Sequence, residues 1–341
     1  FGLGIFRFHL GWVPMRILVT GAAGYIGSVC TEALIERGHS VIALDDLSEG
    51  HREAVDARAV FCRVNLYDLD SLSAVFRQHK IDAVMHFAAL CLVEESVREP
   101  GRYYRANVSA GINLLESMLR HGVKKLIFSS TAATYGEPEK TPIPEEHRTM
   151  PVNPYGASKL LFERVLAEFR VNSGLEYITM RYFNAAGASE KRGEDHHPET
   201  HVIPILLEVA AGEREAFQVF GTDYPTPDGT CVRDYVHVLD IAQAHALAVE
   251  RISDFVGRIY NIGNGHGFSV TEVMETASQV TGRKINYRTA PRRAGDPAVL
   301  VASSERIRKE LGWAPAFSSL EAIISTGWNW KQRFPRGYAS R

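Results

Sequence analysis

Arg16-Ile-Leu-Val-Thr-Gly-Ala-Ala-Gly-Tyr-Ile-Gly27 is the stretch that decides the fold. Its first five residues form a short, apolar, β-rich run, as a buried parallel strand requires. They lead directly into Gly21, Gly24 and Gly27, and then into the helical pattern Val29, Ala33, Leu34. Strand, glycine turn and helix in that order make a phosphate-binding loop. Gly21 permits the tight turn, Gly24 lets the backbone approach a pyrophosphate, and Gly27 lets the helix pack on the sheet. The helix start offers unbonded N–H groups and partial positive charge. A turn that needs positive φ explains one glycine but not three.

The next strand, Ser40–Asp45, ends on an acid 18 residues beyond Gly27. A carboxylate there accepts hydrogen bonds from the adenosine ribose and repels a 2′-phosphate, so NAD is expected over NADP, and Asp46 reinforces the bias. The plainer reading is a strand-end Asp capping its own turn. The alternation continues with strands at 60–64, 81–87, 124–128 and 176–183, separated by helical stretches at 69–79, 100–121 and 154–169. Repeated strand–helix units predict a doubly wound parallel Rossmann sheet, an α/β fold with ligands over the strand C-termini. Chemistry is therefore sought at Asn65/Leu66, Phe87/Ala88, Ser129–Thr131 and Tyr182–Asn184.

The 341 residues are 45% hydrophobic and 23% charged, an ordinary globular composition whose length fits one large or two closely joined α/β domains. A net charge of -2 gives no bulk attraction to nucleic acid or an anionic membrane. The four cysteines are widely spaced with no C-x-x-C pair, so reduced thiols in a cytoplasmic protein are expected. No apolar run approaches the roughly 18 residues of a membrane span. Residues 1–14 are apolar but interrupted by Arg7 and His9, and they lack a small-residue cleavage site. They read as a leader or tag, with Met15 as the natural start.

A second constellation is Tyr155-Gly-Ala-Ser-Lys159. Asn153-Pro154 reads as N-cap and first helical position, and Leu160, Leu161, Phe162, Val165, Leu166 and Phe169 continue at helical spacing. Tyr155 and Lys159 thus share one helix face. A cation beside a phenol favours the phenolate, so Lys159 should lower the Tyr155 pKa and let it exchange a proton with a substrate hydroxyl. By itself the pair is a weak signal: Tyr155 can simply pack, and Lys159 can be a solvated charge. Thr131 ends a strand upstream, where its hydroxyl can relay the proton. A polar strand end satisfying its own backbone is the alternative. The residues after it, Ala132-Ala133-Thr134-Tyr135, hold no Asp or Glu. Eliminating water from a sugar would need an acid–base pair there, so a dehydratase is disfavoured.

These residues resemble the extended short-chain dehydrogenase/reductase family: T-G-A-A-G-Y-I-G at 20–27, H-F-A-A at 86–89, S-S-T-A-A-T-Y-G at 129–136, Y-G-A-S-K at 155–159 and R-Y-F-N at 181–184. Residues 221–238 and 290–296 resemble its nucleotide-sugar 4-epimerase branch, and the likeness runs from Met15 to about Tyr338. The resemblance implies an isomerase with tightly bound NAD that inverts C4 of a UDP-hexose, interconverting UDP-galactose and UDP-glucose through a 4-keto sugar. UDP-N-acetylhexosamine or UDP-pentose epimerisation is the alternative, and a non-catalytic NAD-binding protein would not need the Thr131, Tyr155 and Lys159 set.

The same resemblance assigns catalysis to Tyr155, Lys159 and Thr131. It assigns the cofactor to Gly21, Gly24, Tyr25, Ile26, Gly27, Asp45, Asp46, Asn65, Leu66, Phe87, Ala88, Ala89, Asn107, Ser129, Tyr182 and Phe183, together with Tyr155 and Lys159. Substrate falls to Thr131, Asn184, His201, Phe220, Arg233, Tyr235, Arg293, Asp296 and Leu300, with the two arginines on the phosphates. Three positions depart from the better-known members. Cys91 replaces a Lys near the cofactor phosphates, His201 replaces an Asn near the diphosphate, and Leu300 is intermediate between the bulky and small residues that exclude or admit an N-acetyl group. The resemblance also implies a homodimer through the 100–121 and 155–170 helices.

Residues 15–184 are expected to form the NAD-binding domain and 185–341 mainly a smaller substrate-binding lobe, with about 236–265 returning to the first domain. Glu194-Asp195-His196-His197 and His201 lie in a loop without helical two-His spacing, and no metal is expected there.

Overall fold

The computed structural model describes residues 13–293 and 295–338, so residues 1–12 of the expected leader lie outside the described residues. The central element is a seven-stranded parallel sheet. Its strands are β1 (Arg16–Thr20), β2 (Ser40–Asp45), β3 (Val60–Arg63), β4 (Ala83–His86), β5 (Lys125–Thr131), β6 (Glu176–Tyr182) and a last strand, Arg258–Ile262. The spatial order is Arg258–Ile262, β6, β5, β4, β1, β2, β3. β1 pairs with both β2 and β4, so the strand order reverses beside β1. A crevice forms at such a switch point over the strand C-termini. The doubly wound α/β fold is as the sequence predicts.

Strand alternation builds two cores. Ile17, Val19, Val41, Ala43, Ile127, Ile178 and Met180 face one side. Leu18, Ile42, Leu44, Leu126, Phe128 and Tyr177 face the other. Successive side chains on a strand point to opposite faces, so strands buried on both sides read as continuous apolar runs. Helix α1 (Tyr25–Glu36) and the Val238–Glu250 helix pack together against the first face. The helices Leu69–Gln78, Ala110–Arg120 and Pro154–Ser173 cover the second. Leu126 is fully buried, and truncating it to Ala would cost about 2–5 kcal/mol.

A third core joins the helices Val202–Ala211, Val270–Thr281 and Leu320–Arg333 to the parallel pair Phe217–Phe220 and Tyr287–Ala290. Short strands also appear at Asn184–Ala186, Val232–Arg233, Tyr235–His237, Phe268–Ser269 and Val299–Leu300. The sequence shows no rhythm there because two- or three-residue strands are too short to display a period. Among the described residues no helix is long and apolar enough to cross a membrane.

Candidate active site

The glycine turn is as narrow as a backbone allows. A Cβ on Gly27 would stand 2.1 Å from the Gly21 carbonyl oxygen, and one on Gly21, where φ is +71°, 2.6 Å from the Ala88 nitrogen. The α1 N-cap is Gly24, no side chain caps the helix, and no acid occupies its first turn. The backbone N–H groups at this end are thus left for an anion. Asp45 is buried at the end of β2, and its carboxylate accepts from Ala23 N (2.9 Å) and Leu47 N (2.8 Å). It pins the turn to the sheet. Burial raises its pKa, and these backbone bonds oppose the rise. A carboxylate has about four acceptor sites, so room for ribose hydroxyls remains.

Asp46 accepts from the Asn65 amide at 2.7 Å, and the Asn65 carbonyl accepts from Tyr67 N at 2.9 Å. Leu66 is buried in the second core. The Phe87 ring lies 4.9 Å from that of His245. Asn107 sits in a π-helical turn, Arg105–Ser109. Its amide donates to Leu90 O and Ser158 Oγ (3.0 Å each), and its carbonyl accepts from Leu90 N (2.9 Å). Both amide donors are committed to protein, so Asn107 fixes the chain that follows Phe87, Ala88 and Ala89.

The second constellation forms around the end of β5. Asn153 caps the Pro154–Ser173 helix through Gly156 N at 2.8 Å, with Pro154 at the first position, as the sequence predicts. A Cβ on Gly156 would lie 2.5 Å from the Ala133 carbonyl oxygen, so glycine lets the helix approach the turn after Thr131. The Tyr155 phenol is thereby brought beside the Thr131 hydroxyl, which itself accepts from Ala133 N at 3.1 Å. Lys159 is 3% exposed, donates to Ser129 O at 2.8 Å and lies 5.0 Å from the centre of the Phe128 ring. Burial lowers its pKa to about 8, while Cys91 and Glu163 act to raise it.

Tyr155 differs from expectation. It keeps some accessible surface because it faces the cleft, yet the surrounding protein drives its pKa well above the ordinary tyrosine value. Cys91 adds to the rise and only the neighbouring Thr131 hydroxyl opposes it. Lys159 points at a carbonyl instead of the phenol, so the chain by itself does not produce the lowered phenol expected from the spacing.

The network below this pair joins residues that are far apart in the sequence. Glu163, one turn beyond Lys159, accepts from Ser130 Oγ on β5 at 2.5 Å and from Arg181 Nε on β6 at 3.0 Å. Arg181 also stacks over Tyr135, whose hydroxyl donates to Asn261 at 2.7 Å. The buried ion pair bolts the helix to the sheet under Lys159. Tyr182 bonds His245 Nε2 at 2.8 Å. A charged pair at i, i+4 from a reactive lysine was the signal available for Glu163, but its partner is far away in sequence.

Across the cleft, Arg233 is buried and paired with Asp296. Arg293 lies 4.0 Å over the Phe220 ring and 3.6 Å from Glu94. Tyr235 is buried near Arg233 and Asp296, and its hydroxyl has no hydrogen-bond partner. Leu300 packs with the cluster that contains Phe183 and Tyr135, and Asn184 N donates to Asp234 O at 2.9 Å. His201 Nδ1 is 2.7 Å from Glu194, so the residue expected at the diphosphate is engaged by carboxylates. Cys91 is an exposed residue whose thiol is nonetheless desolvated, and it has His201, Lys159, Glu194 and Glu49 as electrostatic neighbours, which puts it between the two sides.

A parallel sheet with an uncapped glycine turn at its switch point, and a phenol, an ammonium and a hydroxyl at the neighbouring strand end, defines a dinucleotide-using enzyme of proton and hydrogen transfer. Residues 17–263 match the NAD dependent epimerase/dehydratase family, and the chain belongs to it. It is 49% identical over 330 residues to a UDP-glucose 4-epimerase of Lacticaseibacillus casei, covering 96% of this chain and all of that one. The solved UDP-glucose 4-epimerase of Brucella ovis in complex with NAD superposes with a TM-score of 0.89 at 41% identity, over 92% of this chain and 97% of that one. The Bifidobacterium longum UDP-glucose 4-epimerase in complex with NAD+ and UDP gives 0.90 at 37%, over 94% and 99%.

Proposed function

We propose that the chain interconverts UDP-galactose and UDP-glucose by NAD-dependent epimerisation at C4, through a transient 4-keto sugar. The observation that carries the reading is the meeting of Tyr155, Thr131 and buried Lys159 at the end of β5. The fit to NAD rests on the glycine turn, which admits no Cβ at Gly21 or Gly27 and leaves the α1 start open. Gly21, Gly24, Tyr25, Ile26 and Gly27 would hold the pyrophosphate, Asp45 and Asp46 the adenosine ribose, and Asn65 and Leu66 the adenine. Phe87, Ala88, Ala89, Ser129, Lys159, Tyr182 and Phe183 would bound the nicotinamide half, with Asn107 holding that wall in place.

When bound, NAD+ supplies an acceptor for the C4 hydrogen with its electron pair, and a positive ring that favours the phenolate. Tyr155 takes the O4 proton, directly or through the Thr131 hydroxyl, and later returns it, so no proton is lost over a cycle. Lys159, held by Ser129 O, keeps its charge beside this exchange. Arg233 and Arg293 grip the diphosphate once Asp296 turns from Arg233 to the uridine ribose. Phe220 and Tyr235 cover the uracil. Asn184 and Leu300 bound the sugar, which must stay loose enough to present its other face. Exposed Tyr104 and Leu161 support a homodimer through the 100–121 and 155–170 helices. A role in galactose metabolism follows from the substrates.

The test is the rate with UDP-galactose, UDP-N-acetylgalactosamine and a UDP-pentose, without added NAD. The Tyr155→Phe variant is measured beside it. We expect the galactose sugar to be fastest and the variant to lose about 100-fold or more in kcat while retaining NAD. An unchanged rate in Tyr155→Phe defeats the reading.

A further inference from the structure

The loop 187–201 joins the Asn184–Ala186 strand to the Val202–Ala211 helix without a helix or strand of its own. The fold nonetheless closes four of its side chains on one point. Glu194 Oε1 lies 2.7 Å from His201 Nδ1 and 3.2 Å from His196 Nδ1. Glu199 approaches the same two nitrogens at 3.3 Å and 3.9 Å. One donor atom from each of the four lies within 4.8 Å of the other three. A tetrahedral ion with bonds of about 2.0–2.1 Å sets its donors roughly 3.3 Å apart, inside the spread seen here. Both Nδ1 atoms are buried and neither makes a directed hydrogen bond, despite the short distances to carboxylate oxygens. Two imidazolium–carboxylate ion pairs would instead aim N–H along the N···O line.

We propose that Glu194, His196, Glu199 and His201 bind a divalent transition-metal ion of the Zn2+ class as a structural site, independently of the reaction proposed above. Two carboxylates and two neutral imidazoles balance a dication. The mixed nitrogen–oxygen set suits zinc better than the all-oxygen ions magnesium and calcium. All four positions are filled by protein, which is the pattern of a structural site. The partial positive charge at the start of the following helix would oppose a cation. Glu199 answers it by accepting from Thr200 N and His201 N through Oε1, which leaves Oε2 for the ion. The ion would fix the loop where it meets the glycine turn. The His196 ring stands edge-on to Tyr25 at 6.5 Å, and the Tyr25 hydroxyl donates to Gly187 O at 2.6 Å. This reverses the expectation of no metal. Histidine spacing in a loop says nothing about which side chains the fold gathers.

The test uses the full chain, stripped with a chelator, dialysed and titrated with Zn2+ alone against a chromophoric competitor. Bound metal is counted by mass spectrometry and Tm is followed. One equivalent per chain is expected, with a Tm that rises as Zn2+ increases. Glu194→Gln and His196→Gln should each weaken binding about tenfold or more, whereas His197→Gln, a neighbour outside the set, should not. No bound equivalent in the native chain, or the same equivalent in a His196→Gln/His201→Gln double variant, overturns the proposal. Should those variants not fold, Co2+ loaded into the native chain decides. Intense visible bands of a tetrahedral site support it, and weak octahedral bands overturn it.

Discussion

Acid should destabilise this protein through His245, and the size of the effect follows from where the ring sits. His245 is 1% exposed between Phe87 and Tyr182. Its Nδ1 lies 2.9 Å from the Ile241 carbonyl and so carries the proton, leaving Nε2 to accept from the Tyr182 hydroxyl at 2.8 Å. Burial lowers its pKa from 6.5 to about 4, with the Ile241 bond opposing. A base depressed in the folded state binds fewer protons folded than unfolded, so stability falls as pH falls from about 6.5 toward 4. Between about pH 7.5 and 5.5 one such histidine removes about 1.4 kcal/mol, the cost of protonating it only in the unfolded chain. His86 and His237, each lowered to about 3 by burial, act in the same direction. The readout is therefore a difference between two proteins. Urea unfolding of the native chain and of His245→Gln should diverge by about 1.4 kcal/mol over that interval, with the native chain losing more. Parallel pH dependences would refute the reasoning, because they would mean that the folded ring takes up its proton as readily as the unfolded one.

Gly27→Ala should open the glycine turn, because the added methyl carbon would stand 2.1 Å from Gly21 O. We expect a loss of about 1–3 kcal/mol in unfolding free energy and loss of co-purifying NAD, read by absorbance after denaturation. Glu163→Gln strips a buried guanidinium of its counter-charge and should cost about 3–5 kcal/mol, measured by urea unfolding. A Glu163→Leu/Arg181→Met pair should recover most of that loss. If the single variant is as stable as the native chain, the network is not what bolts the helix to the sheet.

Much of the architecture was written locally. The apolar runs of β1 and β2, the glycine spacing and the capping pair Asn153-Pro154 each act within a few residues, where backbone sterics and side-chain alternation leave few choices. The strand ends were legible for the same reason: in a parallel sheet the C-terminal edge follows from strand direction alone. Thr131 and the turn at Gly21 therefore fall on one edge by strand direction alone.

What the sequence by itself determined was a parallel sheet of alternating strands and helices and the edge on which its polar residues fall, because both depend on short-range periodicity. Only the tertiary structure decided the electrostatics. A pKa depends on everything packed around a group, so a lysine four residues from a tyrosine says less about the phenol than the burial that raises it. Long-range closure did the rest. It set Arg181 on Glu163, Arg233 on Asp296 and four loop side chains on a common centre, through contacts whose partners no local pattern specifies.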